Sequence, residues 1–460
     1  MALSQQTVWE VRTTGADTNG GGFLFGASGT DRSQQDAAYA TGTNLTVDAT
    51  TNTDVAPDGY TPDATDVGNL IQITAGAGFT IGFYEIKSIQ SGKWRLDRSP
   101  AAVTTAGGTW SLGGALLSPA VAVGAVTASL NLVWVKAGTY TISTTTAGVS
   151  GGKVFTSQST VMEGYQTTRG DLGTKPLLQV ASSGVTSITV CEFQGSEGGP
   201  RNISVDGQSK SSIAGIRLTG GGPAVNCSVL NCTNGSMSST GAGMFIGCVS
   251  SGHSTAAACP GHAYLFCEVY GGTTSAFTGQ SNNDYYISCI ASGNTGASSD
   301  GFASAGYGFT CVNCTAYGNG RHGFFISNQR QMHTLINCIA EGNGGYGFQL
   351  STKTFIWLVN CAGYNNTSGN IDTTTSLGYR AINFVTGSTS FFVNAAARNF
   401  ALNNAAGGGA SCKAIGYPTT FPGGATANYV DLGAAQAAVI AALSAWMYPM
   451  WQAAVHAVCG

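Results

Sequence analysis

Charge is what this chain has least of: Asp, Glu, Lys and Arg make up only 9% of its 460 residues, and the formal net charge is −3. No Lys/Arg stripe occurs, so the electrostatic footprint that a phosphate backbone requires is missing and nucleic acid is excluded as a partner. Disorder is excluded as well, because it needs high charge and little to bury, whereas 43% of these residues are apolar. The opening Met1-Ala-Leu-Ser-Gln-Gln-Thr-Val8 has neither the basic region nor the apolar core of a signal peptide, which predicts synthesis in a cytoplasm. A disulfide framework is then disfavoured for the 13 cysteines, since their number is odd and that compartment is reducing. The 67 glycines follow no strict three-residue period, which excludes collagen. What is there is a chain of Gly, Ser, Thr and Asn turns between short apolar runs, an all-β composition.

From its middle onward the chain repeats one phrase. It reads Ser288-Cys-Ile-Ala-Ser-Gly-Asn294, Asn313-Cys-Thr-Ala-Tyr-Gly-Asn319, Asn337-Cys-Ile-Ala-Glu-Gly-Asn343 and Asn360-Cys-Ala-Gly-Tyr-Asn-Asn366, with looser copies around Cys232, Cys248 and Cys267. Cys232, Cys248, Cys267, Cys289, Cys314, Cys338 and Cys361 lie 16, 19, 22, 25, 24 and 23 residues apart. A second phrase recurs as Asp300-Gly-Phe302, Tyr307-Gly-Phe309, His322-Gly-Phe324 and Tyr346-Gly-Phe348. Self-similarity at this period signals a solenoid, and the leucine consensus that shares the period is absent.

Strand alternation puts Ile336, Cys338 and Ala340 on one face and Asn337 and Ile339 on the other. Gly-Asn supplies the positive φ of a tight corner. Equivalent residues then stack at about 4.8 Å from rung to rung. The seven cysteines form an interior ladder, because a free thiol packs as a small hydrophobe. Phe302, Phe309, Phe324 and Phe348 form a second stack. The competing chemistry is weaker. Only Cys311 and Cys314 have zinc-like spacing, and alternation sends them to opposite faces, so no metal or cofactor is expected. A catalytic cysteine would need a thiolate-favouring setting that no motif supplies.

On these phrases, over roughly Val133 to Phe400, the chain resembles the pectate-lyase-like superfamily of right-handed parallel β-helices, and most of all the β-helical virion proteins of tailed bacteriophages. Val133-Trp-Val-Lys-Ala-Gly-Thr-Tyr-Thr-Ile142 looks like their first rung, and Trp9 to Phe23 resembles the start of phage proteins. The resemblance implies an all-β, single-stranded right-handed parallel β-helix; function is not implied, because the fold hosts lyases, hydrolases, adhesins and passive scaffolds.

The remaining segments divide as follows. Residues 1–34 read as an extended arm suited to a neighbouring subunit, and 35–115 as a small β-rich module with a hairpin at Ser91-Gly92. Residues 116–131 read as a helical cap opened by Ser118-Pro119. The solenoid spans 132–405, an exit segment 406–432, and an Ala-rich helical C-terminus 433–460. No Asp, Glu, Lys or Arg follows Asp431, and Val439, Leu443, Trp446 and Met450 keep helical spacing. Weakly apolar alanine and Pro449 favour a cap or oligomer contact over a membrane span.

Sugar cleavage is the chemistry to test, since a glycosidase needs two carboxylates across a groove. Candidates are Asp284, Asp300 and Glu341, with Asp206 and Glu268 behind them. Asp284 in Asn282-Asn-Asp284 is faintly similar to the aspartates of β-helical polygalacturonases, whose other motifs are absent. A lyase would draw on Arg321, His322, His333 or Lys353. Arg169-Gly-Asp171 reads as a polar turn rather than an integrin motif. Asp17-Thr-Asn19 lacks the closing acid of a calcium loop. The Asn-Cys-Ser/Thr sequons are incidental. The expectation is a non-enzymatic virion surface protein, a spike, fibre or capsid decoration. Its expected partners are itself, as a homotrimer from the resemblance, other virion proteins, and a host surface glycan. The alternative is a tailspike-type polysaccharide-binding adhesin or depolymerase.

Overall fold

In the computed structural model, a single residue in left-handed conformation makes each corner between the first and second sheets from Pro223 to Thr386. Asn226, Phe266, Ser288, Asn313, Asn337, Asn360 and Asn383 have φ between 49° and 56°, and Gly247 takes 62°. Asparagine tolerates this region better than other residues with a Cβ, which is why the repeated phrase opens on it. The structure describes residues 3, 6–47, 52–126, 131–142, 153–157, 160–181, 185–194, 198–220, 222–239, 243–254, 259–260, 263–279, 284–304, 308–327, 332–350, 356–372, 379–413, 415 and 431–434. The chain is an all-β, right-handed parallel β-helix with one α-helix among the described residues. It divides into two units, Met1–Asp206 and Gly207–Gly460.

In the first unit six antiparallel strands between Ala40 and Leu112 close into a barrel. Its core is aliphatic around Trp94 and Trp110, which meet edge to face at 5.0 Å. Strands Gly82–Gln90 and Lys93–Leu96 pair around Ser91 and Gly92, whose φ values of 50° and 74° fit a primed hairpin turn. The expected extended arm is not one. Thr7–Val11 lies parallel to Asn131–Lys136, with Trp9 opposite Val133, and antiparallel to Gly22–Leu24. The physical reason is the open edge of the first rung, whose bonding groups this strand satisfies while burying Trp9 and Val11 completely. The helix is short, Pro119–Ala125, and Ser118 makes no side-chain cap. Asp17 serves that end instead, accepting from the Leu117 and Ser118 N–H groups at 3.1 and 2.8 Å. Rungs follow from Asn131–Lys136 and Thr160–Tyr165 in one sheet and Thr139–Ile142 and Leu177–Val180 in the next.

In the second unit eight strands build the first sheet, from Pro223–Val225 to Tyr379–Ile382, and eight the second, from Ser228–Leu230 to Val385–Thr386. The third sheet includes Phe277–Gly279, Phe302–Ser304, Phe324–Ile326 and Tyr346–Leu350. The rungs end at Thr386, short of the expected 405. Phe392–Asn394 and Asn399–Leu402 form an antiparallel hairpin. With Phe391, Cys412 and Leu432 it packs on Ile339, Ala362, Tyr317, Tyr364 and Val385 of the second sheet. Of the C-terminal segment only Gly433 and Ala434 are described; the helical pattern beyond them lies outside the described residues.

The interior ladders differ in membership from the sequence reading. Cys248, Cys267, Cys289, Cys314, Cys338 and Cys361 follow the corners, and the rung below Cys248 is occupied by Cys227, not Cys232: the Val249 N–H bonds to the Cys227 carbonyl as Glu268 does to Cys248. The first step is therefore 21 residues, from Cys227 to Cys248, rather than 16, which removes most of the apparent lengthening of the rungs. Cys232 follows Asn231, itself left-handed at 51°, one corner later. Phe309 also leaves its assigned stack. It lies in the first sheet opposite Asp284 and His333, and Phe277 takes its place. Phe277, Phe302, Phe324 and Phe348 stack at 4.9 Å with planes within 7°. Cys311 and Cys314 are both fully buried, against the expectation of opposite faces, because the left-handed Asn313 between them resets the alternation.

Candidate functional site

Each ladder thiol from Cys248 to Cys361 donates to a carbonyl of the preceding rung, as Cys289 does to Tyr264 O and Cys314 to Tyr286 O at 3.2 Å. Burial away from water pushes the thiols of Cys248, Cys289 and Cys338 up. That is the opposite of a nucleophile's setting. Cys248, Cys267, Cys289, Cys311, Cys314, Cys338, Cys361 and Cys412 are buried thiols outside any disulfide. Among the described residues no group of three or more His, Cys, Asp or Glu is placed to hold a metal ion.

Sequence reasoning missed a third ladder. Asn294, Asn319, Asn343 and Asn366 stand one above another, each amide joined to the next at 2.8–3.0 Å. Each of the last three also donates to a strand carbonyl (Ala291, Ala316 and Ala340). The signal was available, since these asparagines close the same phrase the cysteines open. A matching outer ladder joins Asn337 to Asn313 at 2.9 Å and Asn383 to Asn360 at 3.1 Å.

The carboxylates proposed for catalysis are dispersed and engaged. Asp284 is fully buried at the start of Asp284–Ile287, in register with Phe309 and then His333 inside the coil. Glu341, at the end of Ile339–Glu341, lies beneath the C-terminal hairpin. Its oxygens accept from Ser390 Oγ at 2.6 Å and the Phe391 N–H at 2.9 Å. Burial raises its pKa above the ordinary carboxyl range, against the lowering effect of those two bonds. Glu268 is paired with Arg398, at 2.8 and 2.6 Å, and that guanidinium lies over Tyr270. Asp206 is buried at the end of its strand. Lys353 lies outside the described residues.

Asp300 is the candidate that the fold brings into direct contact with two other residues of the sequence reading, Arg321 and His322. Arg321 grips it bidentately, Nε to Oδ1 at 2.8 Å and Nη2 to Oδ2 at 2.5 Å, and the His322 N–H adds a bond of 3.1 Å. Three donors engage this carboxylate, two of them from a guanidinium fork. His322 is flanked by Phe325 and Tyr346, each ring inclined 21° to it. Its Nδ1 accepts the Tyr346 N–H at 3.0 Å, which assigns the ring proton to Nε2. Burial lowers the His322 pKa, so the ring is held neutral. With one nitrogen occupied and the other protonated, it has no lone pair for a base. The cluster is a rigid half-buried platform of Arg321, His322, Phe325 and Tyr346 that can donate hydrogen bonds and stack.

The other motifs are structural. Arg169 reaches Glu10 at 2.7 Å, Asp31 at 2.8 Å and Ser33 at 2.9 Å, and Asp171 ties its own loop through the Thr167 and Thr168 N–H groups. Glu10, fully buried, also accepts from Arg12 and Tyr165. Asn19 donates to the Asp36 and Ala115 carbonyls. Among the described residues no helix is long and apolar enough to cross a membrane.

No family model matches the chain, and no curated protein matches it. Among solved structures, the A-module of the Azotobacter vinelandii mannuronan C-5 epimerase AlgE4 aligns at 15% identity and TM-score 0.42, over 56% of this chain and 81% of that one. ORF18 of Geobacillus virus E2 aligns at 12% and 0.35, over 57% and 53%. The catalytic domain of a GH87 α-1,3-glucanase aligns at 10% and 0.26, over 75% and 89%. The fold assignment rests on the strand register described above rather than on these alignments.

Proposed function

We propose that this pectate-lyase-like parallel β-helix is a non-enzymatic structural protein of a bacteriophage particle, a surface spike, fibre or capsid decoration that associates with itself as a trimer and with other virion proteins. The observation that carries the non-enzymatic reading is the fate of the carboxylates. Asp300 is gripped by Arg321, Glu341 is bonded under the hairpin, and Asp284 is inside the coil. All three are buried, so none of these described candidates stands free to face a second carboxylate across a groove, as glycoside hydrolysis requires. The virion reading is supported by the sequence resemblance over Val133 to Phe400 and by the three ladders that tie successive rungs of the sparsely charged second unit.

A tailspike-type glycan adhesin is the second reading, favoured by the Arg321, His322 and Tyr346 platform, whose rings and donors suit a sugar. The test is mass spectrometry of purified particles together with a depolymerase assay on purified protein. Incorporation at a fixed copy number, without capsule degradation, is the expected result. Degradation that disappears in the Asp284→Asn/Asp300→Asn/Glu341→Gln chain would overturn the non-enzymatic reading.

A further inference from the structure

The outward face of the first sheet is apolar along the whole second unit. In every one of its eight strands the last outward position is Val, Ile or Leu, in an in-register column running from Val225 through Ile246, Ile287, Val312 and Ile336 to Ile382. The residues of this column are half-buried, and Ile382 is 40% exposed. The neighbouring outward column, from Pro223 to Arg380, has no charge before Arg380 and includes the exposed Tyr285 and Trp357. Seven rung spacings make the face about 34 Å long, and two columns make it roughly 12 Å wide. A contiguous apolar surface of this kind marks a covered face.

Its size discriminates between covers. Roughly 400 Å² is about half of what each partner contributes to a stable protein interface. It is wide enough for one helix, whose diameter is about 10–12 Å. The chain has such a segment and delivers it to the right place. The Gly433 N–H bonds to the Asn337 carbonyl at 2.7 Å, and the Ala434 N–H to Thr315 Oγ1 at 3.0 Å. Asn337 directly follows Ile336 of the aliphatic column. Residues 435–460 then contain no Asp, Glu, Lys or Arg, and Val439, Leu443, Trp446 and Met450 share one helical face. As helix, that length is about 39 Å, divided at Pro449. The second sheet sets the precedent, since its own outward apolar residues are covered by the hairpin of the same chain.

We propose that residues 435–460 pack along the aliphatic column of the first sheet, as an intramolecular cover for it. The test uses full-length protein and chymotrypsin, which cuts after Trp446 and Trp451, against a Val312→Lys/Ile336→Lys/Val359→Lys chain. These side chains point outward, so the solenoid should keep its circular dichroism and its melting temperature should change little. Cleavage of the segment should accelerate roughly ten-fold in the triple variant, since proteolysis follows the population of the open state. Protection of the unaltered chain should not change on 100-fold dilution. A second protein, ended at Ala434, should bind more of an apolar dye than full-length protein, and the lysines should abolish the difference. Equal cleavage rates in the two full-length chains would overturn the proposal. So would protection that vanishes on dilution as an oligomer dissociates, which would assign the face to a second copy.

Discussion

Replacing Asn343 by Ala tests whether the asparagine column holds the rungs in register. The side chain is fully buried. Its oxygen accepts the Asn319 backbone N–H and side-chain amide, both at 3.0 Å. Its nitrogen donates to Ala316 O at 3.2 Å and Asn366 Oδ1 at 2.8 Å. Truncation leaves the Asn319 N–H without this acceptor in a place water does not reach, which costs about 1–3 kcal/mol. Loss of the three remaining bonds between buried groups adds about 0.5–1 kcal/mol each. The expected destabilisation is therefore about 4 kcal/mol, read as a lower urea midpoint at unchanged slope. Asn343→Asp should be worse near neutral pH, because a carboxylate cannot donate to Ala316 or Asn366, and should partly recover on acidification as it gains a proton. A destabilisation under about 1 kcal/mol for Asn343→Ala would refute the reasoning, since the column would then be decoration on a solenoid held by its strands.

Three further outcomes follow from the same geometry. Cys248, Cys267, Cys289, Cys314, Cys338 and Cys361 should resist maleimide in native protein and react on denaturation; mass spectrometry showing rapid native labelling of any of them would contradict their burial. Glu341 has a folded pKa raised by burial, so its contribution is present below the unfolded value of about 4.5 and is lost as pH rises through the folded value. Protection of Phe392–Leu402 against hydrogen exchange, normalised to the intrinsic amide rate, should therefore fall as pH rises above about 4.5, and Glu341→Gln should flatten that dependence. Arg169→Ala removes a partner from buried Glu10 and from Asp31, and should lower stability by about 3 kcal/mol in a thermal melt, with Arg169→Lys intermediate.

The architecture was legible because a solenoid writes the same local instruction many times. Its exact columns were less so, and the reason is the corner. Asn226-Cys227 and Asn231-Cys232 are the same dipeptide five residues apart, and both asparagines are left-handed. Only the partner of Val249 decides which one begins the ladder. Alternation misplaced Cys311 and Cys314 for a related reason: parity holds along a strand and is reset by a left-handed residue. Phe309 was grouped with the Gly-Phe phrases by its dipeptide, although its strand belongs to another sheet. Trp9 and Val11 showed apolar alternation in the sequence, but nothing local revealed that an open strand edge awaited them. The carboxylates were nameable and their partners were not. Arg398 meets Glu268 across 130 residues, and Ser390 meets Glu341 across 49.

The stepping of the cysteine column has a consequence for how such a chain can change over generations. Its intervals of 21, 19, 22, 25, 24 and 23 residues vary, while every corner it marks keeps the same conformation and the same strand partners. The variation is therefore confined to the loops between columns. Insertions and deletions there leave the columns in place, and loss of a whole rung would simply bring the next Asn-Cys into contact with the last. The fold is a frame that accepts edits at its bends and refuses them at its pillars. A designer grafting a new loop, and a genome doing the same by accident, would face the same rule.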